Sequence, residues 1–128
     1  MPDMILICDD DADIRGAMRR TLRGYNVVET ASPREAMQEM KTRSFDAIVS
    51  DFSLDAESDG LDLLQLVHIQ YPDMIRFLVT ANRDLDVAVR AVNEGAVHRL
   101  FLKPWNDDKL RDALEIVLRS RSRSTSES

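Results

Sequence analysis

The sequence predicts an α/β domain built on a parallel sheet. Short apolar runs alternate with segments whose apolar residues recur at helical spacing, and five such pairs follow one another along the chain. This alternation is typical of βαβ units, in which a helix connects each strand to the next. With 128 residues and 44% hydrophobic content, the chain can form one such domain around a single core without metal or disulfide support.

The first two strand-helix pairs carry clear boundary signals. Met4 to Cys8 is a continuous apolar run, and the helix after it has apolar residues four positions apart until Gly24 ends it. The second strand, YNVVET, is less apolar and is expected near an edge of the sheet. Ser32, Pro33 and Glu35 then supply the cap, the first-turn proline and the capping box of the second helix.

The remaining three pairs complete the domain. Strands are predicted in FDAIVSD, MIRFLVT and VHRLFL, and helices in GLDLLQLVHIQY, LDVAVRAVNEG and a last segment from about Asn106 to Leu118. Pro72 and Gly95 end the first two of these helices. The domain is therefore predicted to span residues 1–118. The polar residues 119–128 are interpreted as a tail or the start of a linker.

Composition narrows the class of function. A formal net charge of −6 argues against binding of nucleic acid by this domain, because phosphate backbones require a basic face. No apolar segment approaches the roughly 18 residues of a membrane span, and the first residues lack the features of a signal peptide. Cys8 is the only cysteine and is expected to be a small buried apolar residue. A cytoplasmic protein without membrane contact is expected.

Residues that can handle phosphate or metal stand at the carboxyl ends of the predicted strands: Asp9 and Asp10, Asp51, Thr80, and Lys103. In open α/β sheets, ligands bind beyond this edge. Grouped carboxylates are hard oxygen ligands suited to Mg²⁺. One of them could accept a phosphoryl group while Lys103 neutralises its charge, and the Thr80 hydroxyl could sense the product.

Four segments together resemble the receiver domain of two-component response regulators: LICDDDADIR, AIVSDFSLDAESDGLDLL, FLVTAN and FLKPW. The likeness spans roughly residues 4–118. It implies a flavodoxin-like (βα)5 fold, with a five-stranded parallel sheet in the order 2-1-3-4-5 and helices on both faces. It also implies that Asp51 is the phosphoacceptor and that Mg²⁺ or Mn²⁺ is held by Asp9, Asp10, Asp51 and the backbone carbonyl of Ser53.

The resemblance also implies partners and a mode of action. Thr80 and Lys103 match the signalling hydroxyl and lysine of the family, and the Lys103-Pro104 peptide bond is expected to be cis. The domain would be a phosphoacceptor rather than an enzyme, although it promotes its own phosphorylation and dephosphorylation. Its partners would be a sensor histidine kinase or phosphotransfer protein, and an output domain or protein bound through the face of the fourth helix, fifth strand and fifth helix. A homodimer is left open.

Three features depart from the family pattern. The loop after Asp51 lacks a frequent proline and looks about one residue longer. Leu100 replaces the usual aromatic residue that turns inward on activation, and strand alternation directs the neighbouring Phe101 to the opposite face, so an aromatic switch is not expected. The stretch AVNEGAVHRLFLKPWND is similar to receivers fused to kinase, phosphodiesterase or transcription-activator modules.

Several polar residues near these motifs have structural interpretations. Asp11 could be a third metal ligand, but aspartate is favoured at a helix start. His68 and His98 lack carboxylate or cysteine companions in the sequence and are expected to pack at or near the surface. Trp105 is expected to pack under the last helix, with an exposed partner contact as the alternative.

The main rival function is an enzyme. Asp9, Asp11, Thr80 and Lys103 also resemble the haloacid-dehalogenase-like phosphatases, which need a further acidic motif on a later strand; Asp107 and Asp108 instead stand at a predicted helix start. A calcium loop starting at Asp55 has Leu66 where a bidentate glutamate is required, and a flavin phosphate would be repelled by the carboxylates. A receiver-like module without phosphate chemistry is a third class, disfavoured because every residue needed is present.

Overall fold

The computed structural model describes residues 3–52, 60–81 and 85–127. Over these residues, five strands alternate with five helices. In chain order they are β1 (Met4–Cys8), α1 (Ala12–Thr21), β2 (Asn26–Thr30), α2 (Pro33–Thr42), β3 (Ala47–Asp51), α3 (Gly60–Gln70), β4 (Ile75–Thr80), α4 (Leu85–Asn93), β5 (Arg99–Leu102) and α5 (Asp107–Glu127).

The sheet has the order β2-β1-β3-β4-β5, and every neighbouring pair is parallel. The flavodoxin-like prediction is confirmed. The central strands are buried on both faces, which is why they are almost continuously apolar. Alternate residues enter two separate cores: Leu6, Ile48 and Leu78 pack under α2, α3 and α4, whereas Ile7, Val49 and Phe77 pack under α1 and α5.

Local signals fix the helix ends next to the sheet. Asp11 caps α1, and its Oδ1 accepts hydrogen bonds from the amides of Asp13 at 2.9 Å and Ile14 at 3.4 Å. Ser32 caps α2 by accepting from the Glu35 amide at 3.2 Å. Both caps satisfy helix amides that have no partner inside the helix. The structural interpretation of Asp11 is therefore confirmed.

The fifth strand separates Leu100 from Phe101 as strand alternation predicts. Leu100 packs against the core under α2, α3 and α4, whereas Phe101 packs on the other face, with its ring centroid 5.5 Å from that of Phe77. The Lys103-Pro104 peptide bond is cis, as expected. Among the described residues, no helix is both long enough and apolar enough to cross a membrane.

The last helix differs from its prediction, because α5 continues past Leu118 to Glu127. The predicted end marked the point where the apolar spacing stops. Beyond it, Arg121 ties the helix to the amino end of the sheet. Its Nη2 lies 2.6 Å from Asp46 Oδ1, and its Nη1 donates to the carbonyls of Asp46 at 3.0 Å and Asp73 at 3.3 Å. The role of residues 119–128 as a linker stays a prediction.

Replacing Arg121 with alanine is expected to lower the free energy of unfolding by about 1–2 kcal/mol, because partly buried hydrogen bonds to a charged group are lost. The control is Arg119→Ala, which removes a more exposed ion pair with Glu115 on the same helix and is expected to cost less than about 0.5 kcal/mol. Urea denaturation measures both. Equal losses would show that Arg121 does not anchor the helix.

Candidate functional site

The register of the sheet brings three carboxylates together at its carboxyl edge. Cys8 of β1 pairs with Ser50 of β3, so the residues that follow them, Asp9 and Asp51, are neighbours. One carboxylate oxygen from each of Asp9, Asp10 and Asp51 lies within 4.8 Å of the others. Asp9 and Asp51 are buried, whereas Asp10 is exposed. The three side chains therefore form one acidic cluster that opens to solvent at Asp10.

A single ammonium group bridges the two buried carboxylates. Lys103 Nζ lies 2.8 Å from Asp51 Oδ1 and 3.3 Å from Asp9 Oδ2. The lysine is positioned by the end of β4, because its amide donates a hydrogen bond to the Thr80 carbonyl at 2.9 Å. The prediction of a shared site required Lys103 and Asp51 to lie within side-chain reach of the Asp9 and Asp10 carboxylates. The distances among these groups meet this requirement.

Burial and charge act in opposite directions on these groups. Burial raises the pKa of Asp51, and the lysine ammonium offsets this only in part. Burial also raises the pKa of Asp9, against the lowering effect of the Asp11 amide and the Lys103 charge. For Lys103, burial lowers the pKa, but the hydrogen bond and charge of Asp51, with the charge of Asp9, outweigh it, so the pKa is raised overall. The Lys103 ammonium is thus shared between the two buried carboxylates.

The donor set fits a hard divalent cation. The three clustered side chains offer carboxylate oxygens, which Mg²⁺ and Mn²⁺ prefer over nitrogen and sulfur ligands. Their combined charge exceeds what Lys103 can neutralise. The backbone carbonyl of Ser53, predicted as a further ligand, lies outside the described residues.

Replacing Asp10 with asparagine is expected to weaken Mg²⁺ binding by about tenfold or more, because it replaces one of the three anionic groups of the cluster with a neutral one and the charge of the ligands determines the affinity for a hard divalent cation. Asp13→Asn is the matched control, since Asp13 is a nearby exposed acid in the first turn of α1 outside the cluster. Isothermal titration calorimetry compares them. Unchanged affinity in Asp10→Asn would assign the metal ligand elsewhere.

Thr80 lies fully buried at the end of β4, one residue beyond Val79, which pairs with Asp51. Its hydroxyl donates to the Ala81 carbonyl at 3.2 Å. The hydroxyl therefore has a main-chain partner in this state and would have to leave it to bind another acceptor. Its predicted role as a sensor remains a prediction.

Gly60, the first residue of α3, also touches the phosphoacceptor candidate, which the sequence interpretation missed. Its amide donates to the Phe52 carbonyl at 2.7 Å. A Cβ placed on Gly60 would lie 1.7 Å from the carbonyl oxygen of Asp51 and 2.8 Å from Ser50 Oγ. The only sequence signal was a glycine at the start of a helix, which does not reveal such a close approach.

Other candidate groups have structural partners outside the cluster. The Asp107 carboxylate accepts from the Thr21 hydroxyl at 2.5 Å and from the Trp105 indole at 3.1 Å, so it is not the acidic motif that a phosphatase would place at the site. Trp105 also packs on the core under α1 and α5, which confirms its packing role.

Nδ1 of His98 accepts a hydrogen bond from the Arg76 amide at 2.9 Å. Burial raises the pKa of the Cys8 thiol to about 12, so it stays protonated and inert.

Comparison with known proteins gives a consistent result. The family model described as response regulator receiver domain matches residues 5–115. The transcriptional regulatory protein ZraR of Escherichia coli O157:H7 is 34% identical over 116 residues, covering 89% of this chain and 26% of that protein. The C4-dicarboxylate transport transcriptional regulatory protein DctD of Rhizobium meliloti (strain 1021) is 35% identical over 111 residues, covering 85% and 24%. The chain thus spans about a quarter of these relatives.

A solved structure agrees in fold over nearly the whole chain. The signal receiver domain of an HD domain-containing protein from Pseudomonas fluorescens Pf-5 has 29% sequence identity and a TM-score of 0.88, covering 99% of this chain and 94% of that one. The family match over residues 5–115 includes the segments that contain the acidic cluster and Lys103.

Proposed function

Because the chain belongs to the response regulator receiver domain family of two-component systems, we propose that Asp51 accepts a phosphoryl group from a phosphohistidine while a divalent cation is bound. The donor would be a sensor histidine kinase or a phosphotransfer protein. The observation that supports this most is the Lys103 ammonium, which contacts both Asp51 and Asp9 beside Asp10. A nucleophile, a cation and a set of metal ligands thus meet at one edge of the sheet.

The transfer uses the groups of this cluster. An oxygen of the Asp51 carboxylate attacks phosphorus, so that an O–P bond forms as the P–N bond to the histidine ring breaks. Charge spread over the phosphoryl oxygens must be neutralised during this step. Lys103 supplies one positive charge, and Mg²⁺ or Mn²⁺ held by Asp9, Asp10, Asp51 and the Ser53 carbonyl would supply the rest. The domain thereby promotes both its own phosphorylation and its dephosphorylation.

Phosphorylation would change the contacts of Thr80 and Lys103. The acyl phosphate adds a charge of about −1.5 to −2, which attracts the ammonium and offers the Thr80 hydroxyl a stronger acceptor than the Ala81 carbonyl. Thr80 ends β4 and Lys103 follows β5, so both shifts act next to α4, β5 and α5. Complete conversion from 1:99 to 99:1 would need about 5.5 kcal/mol, and partial switching before phosphorylation is expected.

The face of α4, β5 and α5 is the proposed output surface. Leu102 is 41% exposed and Ile116 is 63% exposed, and a groove of about 390 Å³ lies between β5 and α5. Exposed apolar residues around a groove suit a protein partner. ZraR and DctD are named as transcriptional regulatory proteins, so an appended or separate output module of that kind is proposed, with a homodimer through the same face as an alternative. A reducing cytoplasm suits the single buried thiol.

Intact mass spectrometry after incubation with Mg²⁺ and acetyl phosphate tests this function. The protein is expected to gain the mass of one phosphoryl group, and chelation of Mg²⁺ with EDTA is expected to prevent the gain. No gain in the presence of Mg²⁺ would contradict the proposal. Steady release of phosphate from p-nitrophenyl phosphate, many times per molecule, would instead identify a phosphatase.

A further inference from the structure

Both the main chain and the side chain of Asp9 form hydrogen bonds with neighbouring residues. Its amide donates to the Thr30 carbonyl at 3.1 Å, its Oδ1 accepts from the Asp11 amide at 2.9 Å, and its Oδ2 lies 3.3 Å from Lys103 Nζ. Its carbonyl oxygen accepts a hydrogen bond from Nη1 of Arg15 at 2.8 Å. That last contact is with the peptide bond that joins Asp9 to Asp10.

Arg15 is itself held by an acid at the end of β2. Its Nε lies 3.5 Å from Glu29 Oε1, and only 20% of its side chain is exposed. The other oxygen of Glu29 accepts from Arg19 Nη1 at 2.8 Å. Glu29 therefore contacts two arginines of α1. Arg15 also donates a hydrogen bond to the Asp9 carbonyl, whereas Arg19 makes no such bond among the described residues.

We propose that Arg15 is a positioning residue for the metal site, which fixes the Asp9-Asp10 peptide so that the Asp10 carboxylate faces Asp9 and Asp51. A peptide unit is planar, so a hydrogen bond to its oxygen also constrains the orientation of the amide and the Cα of Asp10. This constraint matters most for Asp10, because it is the exposed member of the cluster. Glu29 holds the guanidinium in the orientation that makes the bond.

Arg15 can affect the affinity for Mg²⁺ through its charge or through its hydrogen bond to the Asp9 carbonyl, and the two effects have opposite signs. A positive charge beside a cation site disfavours the cation, so removing the charge alone would tighten Mg²⁺ binding. Removing the hydrogen bond releases the peptide and would weaken binding, as loss of a group that orients a ligand usually does. The sign of the change in affinity therefore separates the two roles.

Isothermal titration calorimetry with Mg²⁺ tests the inference. Arg15→Met is expected to bind about tenfold more weakly than the wild type, and Arg15→Lys is expected to lose nearly as much although it keeps the charge. Arg19→Met is the matched control, because Arg19 also contacts Glu29, and its affinity is expected to stay within about twofold. Tighter or unchanged binding in Arg15→Met, or an equal loss in Arg19→Met, would overturn the inference.

Two further measurements keep the test independent of folding and of the proposed function. In the metal-free protein, the NMR order parameter of the Asp10 amide is expected to fall in Arg15→Met and to stay unchanged in Arg19→Met. If Arg15→Met fails to fold, Glu29→Gln is expected to weaken Mg²⁺ binding by about threefold, and an unchanged affinity would overturn the inference. The inference depends on the proposed metal site: a wild type that binds no Mg²⁺ contradicts the proposed function itself, whereas normal binding in Arg15→Met contradicts only the positioning role.

Discussion

Replacing Asp51 with alanine is expected to abolish labelling by acetyl phosphate in the presence of Mg²⁺. Asp51 ends β3, and its carboxylate is the one that lies closest to Lys103, at 2.8 Å. The variant should remain folded, because burial raises the pKa of Asp51 and an ionised carboxylate in that position costs the folded state free energy. Loss of labelling would therefore report loss of the nucleophile.

Intact mass spectrometry measures the labelling, and urea denaturation checks the fold of the variant. Asp13→Ala serves as the control, because it removes an exposed acid of α1 close in sequence to the cluster, and it is expected to be labelled as fully as the wild type. An undiminished gain in mass for Asp51→Ala would place the phosphoacceptor on another residue.

The strands and the acidic cluster were predictable because each depends on a local pattern. β1, β3 and β4 are short apolar runs buried on both faces, and the polar residues that follow them must meet at the carboxyl edge of a parallel sheet. The strand order was not predictable from such local patterns. The spacing of apolar residues does not choose neighbours for a strand, so the order 2-1-3-4-5 came from the resemblance and is confirmed by the observed pairing.

The end of α5 shows where apolar spacing stops being informative. The segment after Leu118 is rich in serine and arginine and has too little apolar surface to predict packing. In this continuation of the helix, Arg121 forms an ion pair with Asp46 and hydrogen bonds with main-chain carbonyls, which anchor α5 to the sheet beyond the last apolar contact. Asp46 lies more than seventy positions before Arg121 in the chain. No periodicity of the sequence links the two residues.

Contacts with main-chain atoms explain what the sequence did not reveal at the site. Asp9, Asp10, Asp51 and Lys103 were found because their side chains carry the chemistry. Arg15 and Gly60 were not predicted. Arg15 donates a hydrogen bond to the carbonyl of Asp9, and Gly60 lies against the carbonyl of Asp51. A main-chain carbonyl is present at every residue, so the sequence does not show which one a neighbour will contact.

Replacing Gly60 with alanine is expected to lower the free energy of unfolding by about 3 kcal/mol, which is the upper range for overpacking, and to slow phosphorylation. The added Cβ would lie 1.7 Å from the Asp51 carbonyl oxygen and 2.7 Å from its carbonyl carbon. Both are backbone atoms, so relief requires α3 or the end of β3 to move. The clash is with the backbone of Asp51 itself, so movement of the end of β3 would take its carboxylate out of alignment with Lys103.

Gly16→Ala is the matched control and is expected to change stability in the opposite direction. Gly16 lies inside α1, where an added Cβ would meet Arg20 Nη1 at an ordinary contact distance of 3.5 Å and, beyond the helix backbone, no other atom of the described residues within 4 Å. Alanine in a helix interior is more stable than glycine by about 0.5–1 kcal/mol. Urea denaturation measures both variants, and acetyl phosphate labelling is compared where both are folded. A Gly60→Ala protein as stable and as rapidly labelled as Gly16→Ala would show that the start of α3 does not constrain Asp51.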